Sequence, residues 1–355
     1  MTSYDIAFIG TGPEPENPVW GESAAMAYRH AAGYEELDNC DLVACSDLVG
    51  ENARAFAAEF GIPDANTYED YDEMLAAVEP DVVSVCTPVP THAPIVIDCA
   101  ESGHVDAIHC EKPMADTWEA SREMATVCDE YDVLLTFNHQ RRYGVPAGRI
   151  KQLLDDGEIG ELQRLELAPG NFFDAGSHLV DLCSYFNDEH RAKWVMGQID
   201  YREENVRYGV HNENQAFVQW RYENGVHAVA YAGFGDELLP CQIRVVGSEG
   251  VIELQHIEGP TVRVRRQGET EWRDADADGP DANIPGAVRS VVDALETGEE
   301  SMLRAENALT VTEILFGAYE SVRQRGRVDT PLEIDDNPIV SLVEAGEIVP
   351  EQTED

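Results

Sequence analysis

At 355 residues the chain is too long for one ordinary α/β core and too short for three, so two domains are expected. Its 69 Asp and Glu against 24 Lys and Arg leave a formal charge of −45, which opposes a phosphate backbone or an anionic membrane surface and argues against nucleic acid as a partner. The acid is spread along the chain rather than gathered in a tail, as on a halophile-like surface kept soluble in concentrated salt, where ions screen the self-repulsion.

In chain order, the apolar run 5–10 predicts a strand, followed by a helix near 22–32, a strand over 42–47 and a helix near 50–60. Next come a helix over 71–78, a strand over 81–86, a helix over 94–102 and a strand over 107–110. A helix over 117–131, opened by Asp116 with Glu119 three residues later, and a strand over 133–137 close this half. Strands alternating with helices imply a parallel, doubly wound sheet, α/β in class. The expected boundary lies near Asn138, giving a first domain over 1–137.

Consecutive strands follow at 162–167, 215–222, 226–232, 242–246, 251–255 and 262–265, with hairpin turns at Asn224-Gly225 and Gly247-Ser248-Glu249-Gly250. The second domain, 138–333, is therefore expected to be α+β, with a large and mainly antiparallel open sheet and late helices over 287–296 and 306–325. An acidic tail, 334–355, is expected to be loosely ordered.

The eight cysteines include no C-x-x-C pair and mostly sit in apolar runs, so reduced core thiols are expected rather than disulfides or a metal site. No basic segment precedes an apolar run at the N-terminus and no stretch has the length of a membrane span, which predicts a cytoplasmic protein.

Gly10-Thr11-Gly12 directly follows the first strand, where a dinucleotide fold needs glycines for a tight turn and close approach to a pyrophosphate. The third glycine of that pattern is out of register: residues 13–18 intervene before Gly21, which reads as an insertion. Asp47 ends the second strand, where a carboxylate bonds an adenosine ribose 2′-OH and repels a 2′-phosphate, favouring NAD with NADP as the alternative. The competing reading is that Asp47 caps the helix beginning near Val49.

Cys110-Glu111-Lys112-Pro113 follows the strand at 107–110 and is preceded by Cys86-Thr87-Pro88-Val89-Pro90-Thr91-His92. With the stretches 138–143, 155–160, 174–181, 247–250 and 321–328, these motifs resemble the glucose-fructose oxidoreductase and inositol dehydrogenase (Gfo/Idh/MocA) family over nearly the whole chain. The resemblance implies a Rossmann domain, then a domain whose open sheet walls the active site and often supports oligomers, here a dimer or tetramer. It also implies that Lys112 is the catalytic lysine, His178 the acid/base histidine and Asp174 the aspartate preceding it.

The chemistry agrees with those assignments. Oxidising a carbinol needs a base for the hydroxyl proton, a role that suits histidine near neutrality, while a lysine ammonium stabilises developing alkoxide charge. Pro113 is expected to hold Lys112 rigidly. Asp174, His178 and Asp181 share a face if their segment is helical, with Asp181 supporting from behind. Gly10, Thr11, Gly12, Asp47, Thr87, Pro88, His92, Glu111 and Lys112 are the expected cofactor contacts. Lys112, Asn138, Arg142, Asp174 and His178 are the expected substrate contacts, although arginines in so acidic a chain are as often structural ion pairs. No metal is expected.

The stretch 162–173 is shorter than the resemblance leads one to expect, so Pro169-Gly170-Asn171-Phe172-Phe173 are expected to leave a more open or more apolar pocket. The expected activity is hydride transfer between a nicotinamide and a sugar or polyol carbinol. A redox-neutral NAD-dependent glycosidase or epimerase and a non-enzymatic NAD-sensing regulator are the alternatives.

Overall fold

The computed structural model describes residues 3–13, 26–235, 237–256 and 260–351. The expanded loop after Gly12, with Trp20 and Gly21, therefore lies outside the described residues, as does the predicted start of the first helix. By contact the chain divides into two compact units: Met1–Ala115, Ala120–Gln140 and Ile284–Ala308 form one, and Asp116–Glu119, Arg141–Asn283 and Leu309–Asp355 the other.

The first unit opens with β1 (Tyr4–Ile9), α1 (Met26–Tyr34), β2 (Cys40–Ser46), α2 (Gly50–Glu59), β3 (Thr67–Tyr68) and α3 (Tyr71–Val78). It continues through β4 (Val82–Val85), α4 (His92–Glu101), β5 (Ala107–Cys110), α5 (Trp118–Glu130) and β6 (Leu134–Phe137). The six strands run in the order β3-β2-β1-β4-β5-β6, and every pairing is parallel. Helices covering both faces explain why these strands read as short apolar runs rather than alternating ones. Phe8 of β1 is wholly buried, its ring 5.0 Å from Phe56 of α2 and 6.2 Å from Tyr34 of α1. Strand order reverses between β1 and β4, the switch point beside which doubly wound sheets bind ligands.

The second unit holds α6 (Val145–Asp155), β7 (Leu162–Leu167), α7 (Asp174–Phe186), β8 (Ala192–Asp200), β9 (Val206–Arg207), β10 (Val210–His211), β11 (Gln215–Tyr222) and β12 (His227–Ala232). Then come β13 (Cys241–Gly247), β14 (Gly250–His256), β15 (Val262–Arg266) and β16 (Arg273–Asp274). After α8 (Ile284–Thr297), the chain ends with α9 (Ala305–Gln324), β17 (Val328–Asp329) and α10 (Pro338–Glu344).

The second unit's sheet has nine strands, ordered β16-β15-β14-β13-β7-β12-β11-β8-β17, and only the β7–β12 pairing is parallel. Alternation along β11 and β13 buries Ala216, Val218, Trp220 and Tyr222 with Ile243 and Val245 on one face. On the other face, Arg244 stands opposite both Glu166 and Glu253, and Glu253 opposite Arg263. These pairs form an ion-pair ladder at 3.1, 2.8 and 2.6 Å.

Helix α8 returns to the first unit. Its Ile284, Val288, Val291 and Val292 join the core formed by Ile6, Phe8 and Tyr34. A Cβ on Gly33 of α1 would come within 2.9 Å of Val288 Cγ2, so glycine permits the two helices their close approach. Contact thus groups 284–308 with the first unit, unlike a single cut near Asn138.

Helix α6 and strand β8 have no counterpart among the sequence expectations. Pro146 and Gly148 mask α6, although Ala147, Ile150 and Leu153 form its buried stripe. Residues 334–351 depart from the expected loose tail. Asn337 Oδ1 accepts the Ile339 N–H at 3.2 Å to cap α10, and Pro338, Ile339 and Leu342 are buried.

Candidate active site

A cleft of about 540 Å³ lies in the first unit, between the ends of β1, β2 and β4. Gly10 and Gly12 line it with Asp47, Leu48, Thr87 and Pro88. Gly10 takes φ +82°, and a Cβ there would lie 2.5 Å from Thr87 Cγ2. Thr87 and the backbone at 86–87 already fill the space a Cβ would take, so only glycine lets the turn after β1 lie this close to the loop after β4. Thr87 Oγ1 is buried at this cleft without a hydrogen-bond partner among the described residues. Leu48 is 92% exposed at the rim, an apolar surface open to a ligand. A dinucleotide fits this cradle.

Asp47 is bonded on both carboxylate oxygens within its own unit. Its Oδ2 accepts from Gly12 N–H at 2.8 Å and Thr11 Oγ1 at 3.3 Å, while Oδ1 accepts from Val49 N–H at 2.9 Å and Asn52 Nδ2 at 3.2 Å. The carboxylate thus pins both the glycine turn and the chain entering α2, whose N-cap is Val49, and it lines the cleft.

At the end of β5, Glu111 is buried and Lys112 half-buried, and the Lys112–Pro113 bond is cis. Glu111 Oε1 lies 3.1 Å from His30 Nε2 and accepts from Asn138 Nδ2 at 2.6 Å, while Oε2 accepts the Lys112 N–H at 3.3 Å. Burial alone would raise the Glu111 carboxyl, but His30, Lys112 and Asn138 favour its charged form and bring it down to about 2. His109 lies under His30, ring centroids 4.9 Å apart, and burial with the neighbouring His30 pushes it down to about 3. His30 and His109 were not legible as site neighbours. Each sits in an apolar stretch, and only tertiary structure gathers them around Glu111.

His92, expected at the cofactor, is fully buried. Its Nε2 lies 2.8 Å from Thr87 O and its Nδ1 3.0 Å from Pro113 O, so it ties the loop after β4 to the turn after β5. Asn138, expected at the substrate, is likewise buried and bonded to Glu111.

In the second unit, Asp174, His178 and Asp181 all lie on α7, at spacings that share one face. Asp174 is not the helix's capping side chain. Asn171 Oδ1 caps, accepting from Asp174 N–H at 3.1 Å and Ala175 N–H at 2.7 Å. Arg142 lies apart from its expected role, because its buried guanidinium is held by Asp181 at 2.7 Å and Glu189 at 2.5 Å. Phe172 and Phe173 also differ from expectation. They are core rather than pocket wall, with Phe173 stacked on Tyr319 at 5.8 Å and Phe172 lying 6.3 Å from Trp220.

A doubly wound nucleotide-type unit and a unit built on a mainly antiparallel open sheet define a two-part dehydrogenase-like architecture. Residues 19–139 match the model of the oxidoreductase family with an NAD-binding Rossmann fold, and residues 163–253 match the GFO/IDH/MocA C-terminal domain. The chain belongs to the Gfo/Idh/MocA oxidoreductase family, and its first unit is that family's NAD-binding Rossmann fold.

Among curated relatives, the D-glucoside 3-dehydrogenase of Escherichia coli (strain K12) is 34% identical over 134 residues, 38% of this chain and 37% of that protein. The D-xylose 1-dehydrogenase [NADP(+)] of Haloarcula marismortui is 35% identical over 157 residues, 44% of this chain and 40% of that protein. The match therefore spans well under half the length of either relative. Among solved structures, the WlbA dehydrogenase of Bordetella pertussis, in complex with NADH and UDP-GlcNAcA, superposes with a TM-score of 0.73 at 20% identity. That likeness covers 93% of this chain and 100% of that one.

Proposed function

We propose that the chain is an NAD(P)-dependent oxidoreductase that transfers a hydride between nicotinamide and the carbinol carbon of a sugar, polyol or related small molecule. The observation that carries this reading is Asp174 and His178 one turn apart on one face of α7, in a chain that also keeps Lys112 directly after β5. Relatives named as glucoside and xylose dehydrogenases support it.

Gly10, Gly12, Asp47 and Thr87 would hold the dinucleotide, which when bound supplies the hydride acceptor for oxidation. His178 takes the substrate hydroxyl proton as the carbinol becomes a carbonyl. Lys112 stabilises the negative charge developing on that oxygen, and Asp174 orients the substrate or the imidazole. The Glu111 carboxylate holds the turn bearing Lys112 by accepting its backbone N–H, and His92 braces the same turn from the start of α4. Arg142 serves as an internal counter-ion.

The Asp47 carboxylate favours NAD over NADP, because a 2′-phosphate beside it would bring like charges together. We further propose a cytoplasmic, salt-requiring enzyme that self-associates through the open sheet, where Phe217 is 44% exposed against Tyr231.

The test is NAD(P)H absorbance in molar KCl with purified protein, either cofactor and a panel of aldoses, inositols, sugar acids and sugar phosphates. Cofactor reduction with one substrate class, at higher kcat/KM for NAD, is the expected result. Silence across the panel with NAD bound would overturn the dehydrogenase reading.

A further inference from the structure

Asn212 and Glu213 are adjacent residues between β10 and β11, and both are completely buried. Neither entered the sequence reading. Both side chains are spent on the start of α7. Asn212 Oδ1 accepts the Asp174 N–H at 3.1 Å, and its Nδ2 donates to Val210 O at 3.0 Å. Glu213 Oε1 accepts the Phe172 N–H at 2.5 Å, and Oε2 accepts the Tyr319 hydroxyl at 2.5 Å.

Amides at a helix start lack intrahelical partners, and a capping side chain answers one or two of them. Here Asn171 already does so. Asn212 shares the Asp174 N–H that Asn171 already accepts, and Glu213 takes the Phe172 N–H ahead of the N-cap residue Phe173, so both bonds go beyond that cap. Burial pushes the Glu213 carboxyl up, against the bonds from Tyr319 and Phe172 that favour its charged form. Polar groups so placed cost stability unless every bond is made, and apolar residues would fill the same space more cheaply. What they add is geometry: the backbone at 172–174 is fixed to Tyr319 of α9 and to the chain between β10 and β11.

We propose that Asn212 and Glu213 are positioning residues that fix the first turn of α7 and so set Asp174 and His178. The inference rests on the reading that those two residues act on substrate. Displacing reacting groups by about 1 Å costs on the order of 10²-fold in rate, so loosening this anchor should appear in kcat.

The experiment uses the full chain in molar KCl with Glu213→Leu, Glu213→Gln and Tyr319→Phe. Gln keeps an oxygen for the Phe172 N–H and offers an N–H to the Tyr319 oxygen. Amide exchange over 170–178, the NMR titration of the His178 imidazole, and turnover of myo-inositol, D-glucose and D-xylose with NAD are measured on each. In Glu213→Leu, exchange over 170–178 should quicken, the His178 midpoint should move, and kcat should fall about 10²-fold with KM for NAD unchanged. Glu213→Gln should restore all three. Faster exchange with an unmoved His178 midpoint, or unchanged exchange, overturns the proposal.

If wild type turns over none of these polyols, the dehydrogenase reading is weakened for this substrate class, while exchange and the His178 titration still decide the anchoring. If Glu213→Leu does not fold, Tyr319→Phe removes one anchor alone and carries the same expectations in smaller measure.

Discussion

The Arg142 guanidinium grips the Asp181 carboxylate on two sides, with Nε 2.9 Å from Oδ2 and Nη2 2.7 Å from Oδ1, and both side chains are 1% exposed. Removing Asp181 strips the buried guanidinium of its two-sided partner and leaves Glu189 on the other edge to balance its charge. Asp181→Ala should lower unfolding free energy by about 3–5 kcal/mol, whereas the paired change Arg142→Met with Asp181→Leu should cost far less. Denaturant titration in molar salt checks both, and a loss under about 1 kcal/mol for Asp181→Ala would contradict the pairing.

This pair also marks how far the sequence could be read. The alternation of apolar runs sufficed for the parallel sense of the first sheet and for all its strands but the two-residue β3, because strands buried on both faces have a plain signature. The strands from β11 to β15 were legible from their period of two and their glycine turns. Strand β8 was not, since Gly197 and Gln198 interrupt its apolar pattern, nor was the return of α8 to the first sheet, which is a matter of long-range packing. For the candidate site, Lys112, Asp174 and His178 were singled out because their motifs are contiguous. Arg142 was ambiguous until its partners, 39 and 47 residues away, came into view. Phe172 and Phe173 look alike as pocket wall or core until a third dimension separates them.

Asp47 should control the choice of dinucleotide. Asp47→Ser removes the charge facing a 2′-phosphate and should shift the NADP-to-NAD ratio of kcat/KM upward by about tenfold, since like charges juxtaposed cost more than 1 kcal/mol. Melting temperature should fall slightly as the α2 contact weakens. An unchanged ratio would confine Asp47 to holding the backbone at Gly12 and Val49.

His109 should make the fold acid-sensitive. Its folded value lies near 3 against an ordinary 6.5, so as pH falls below 6.5 the unfolded chain takes a proton that the folded one refuses. Stability is therefore lost on acidification, by about 1.4 kcal/mol per pH unit from this group until the folded form also protonates. The unfolding free energies of wild type and His109→Gln, measured from pH 7 to 5 in fixed salt, should converge on acidification below 6.5. Parallel curves would show that His109 is not the group.

The charge of −45 should make stability depend on salt. Raising KCl from about 0.1 to 1 M shortens the screening length from about 10 to 3 Å and relieves the self-repulsion, so melting temperature should rise across that range. A flat profile would remove the halophilic reading without touching the site.

The most direct test of the central claim is stoichiometry. With a substrate found active in the panel, NADH formed is measured against carbonyl product formed, for wild type, Lys112→Ala and His178→Ala, alongside NAD binding. The account predicts one NADH per carbonyl in wild type and a loss of turnover on the order of 10²-fold or more in each variant, with NAD still bound. Product formed without net NADH, or full turnover in His178→Ala, would contradict it.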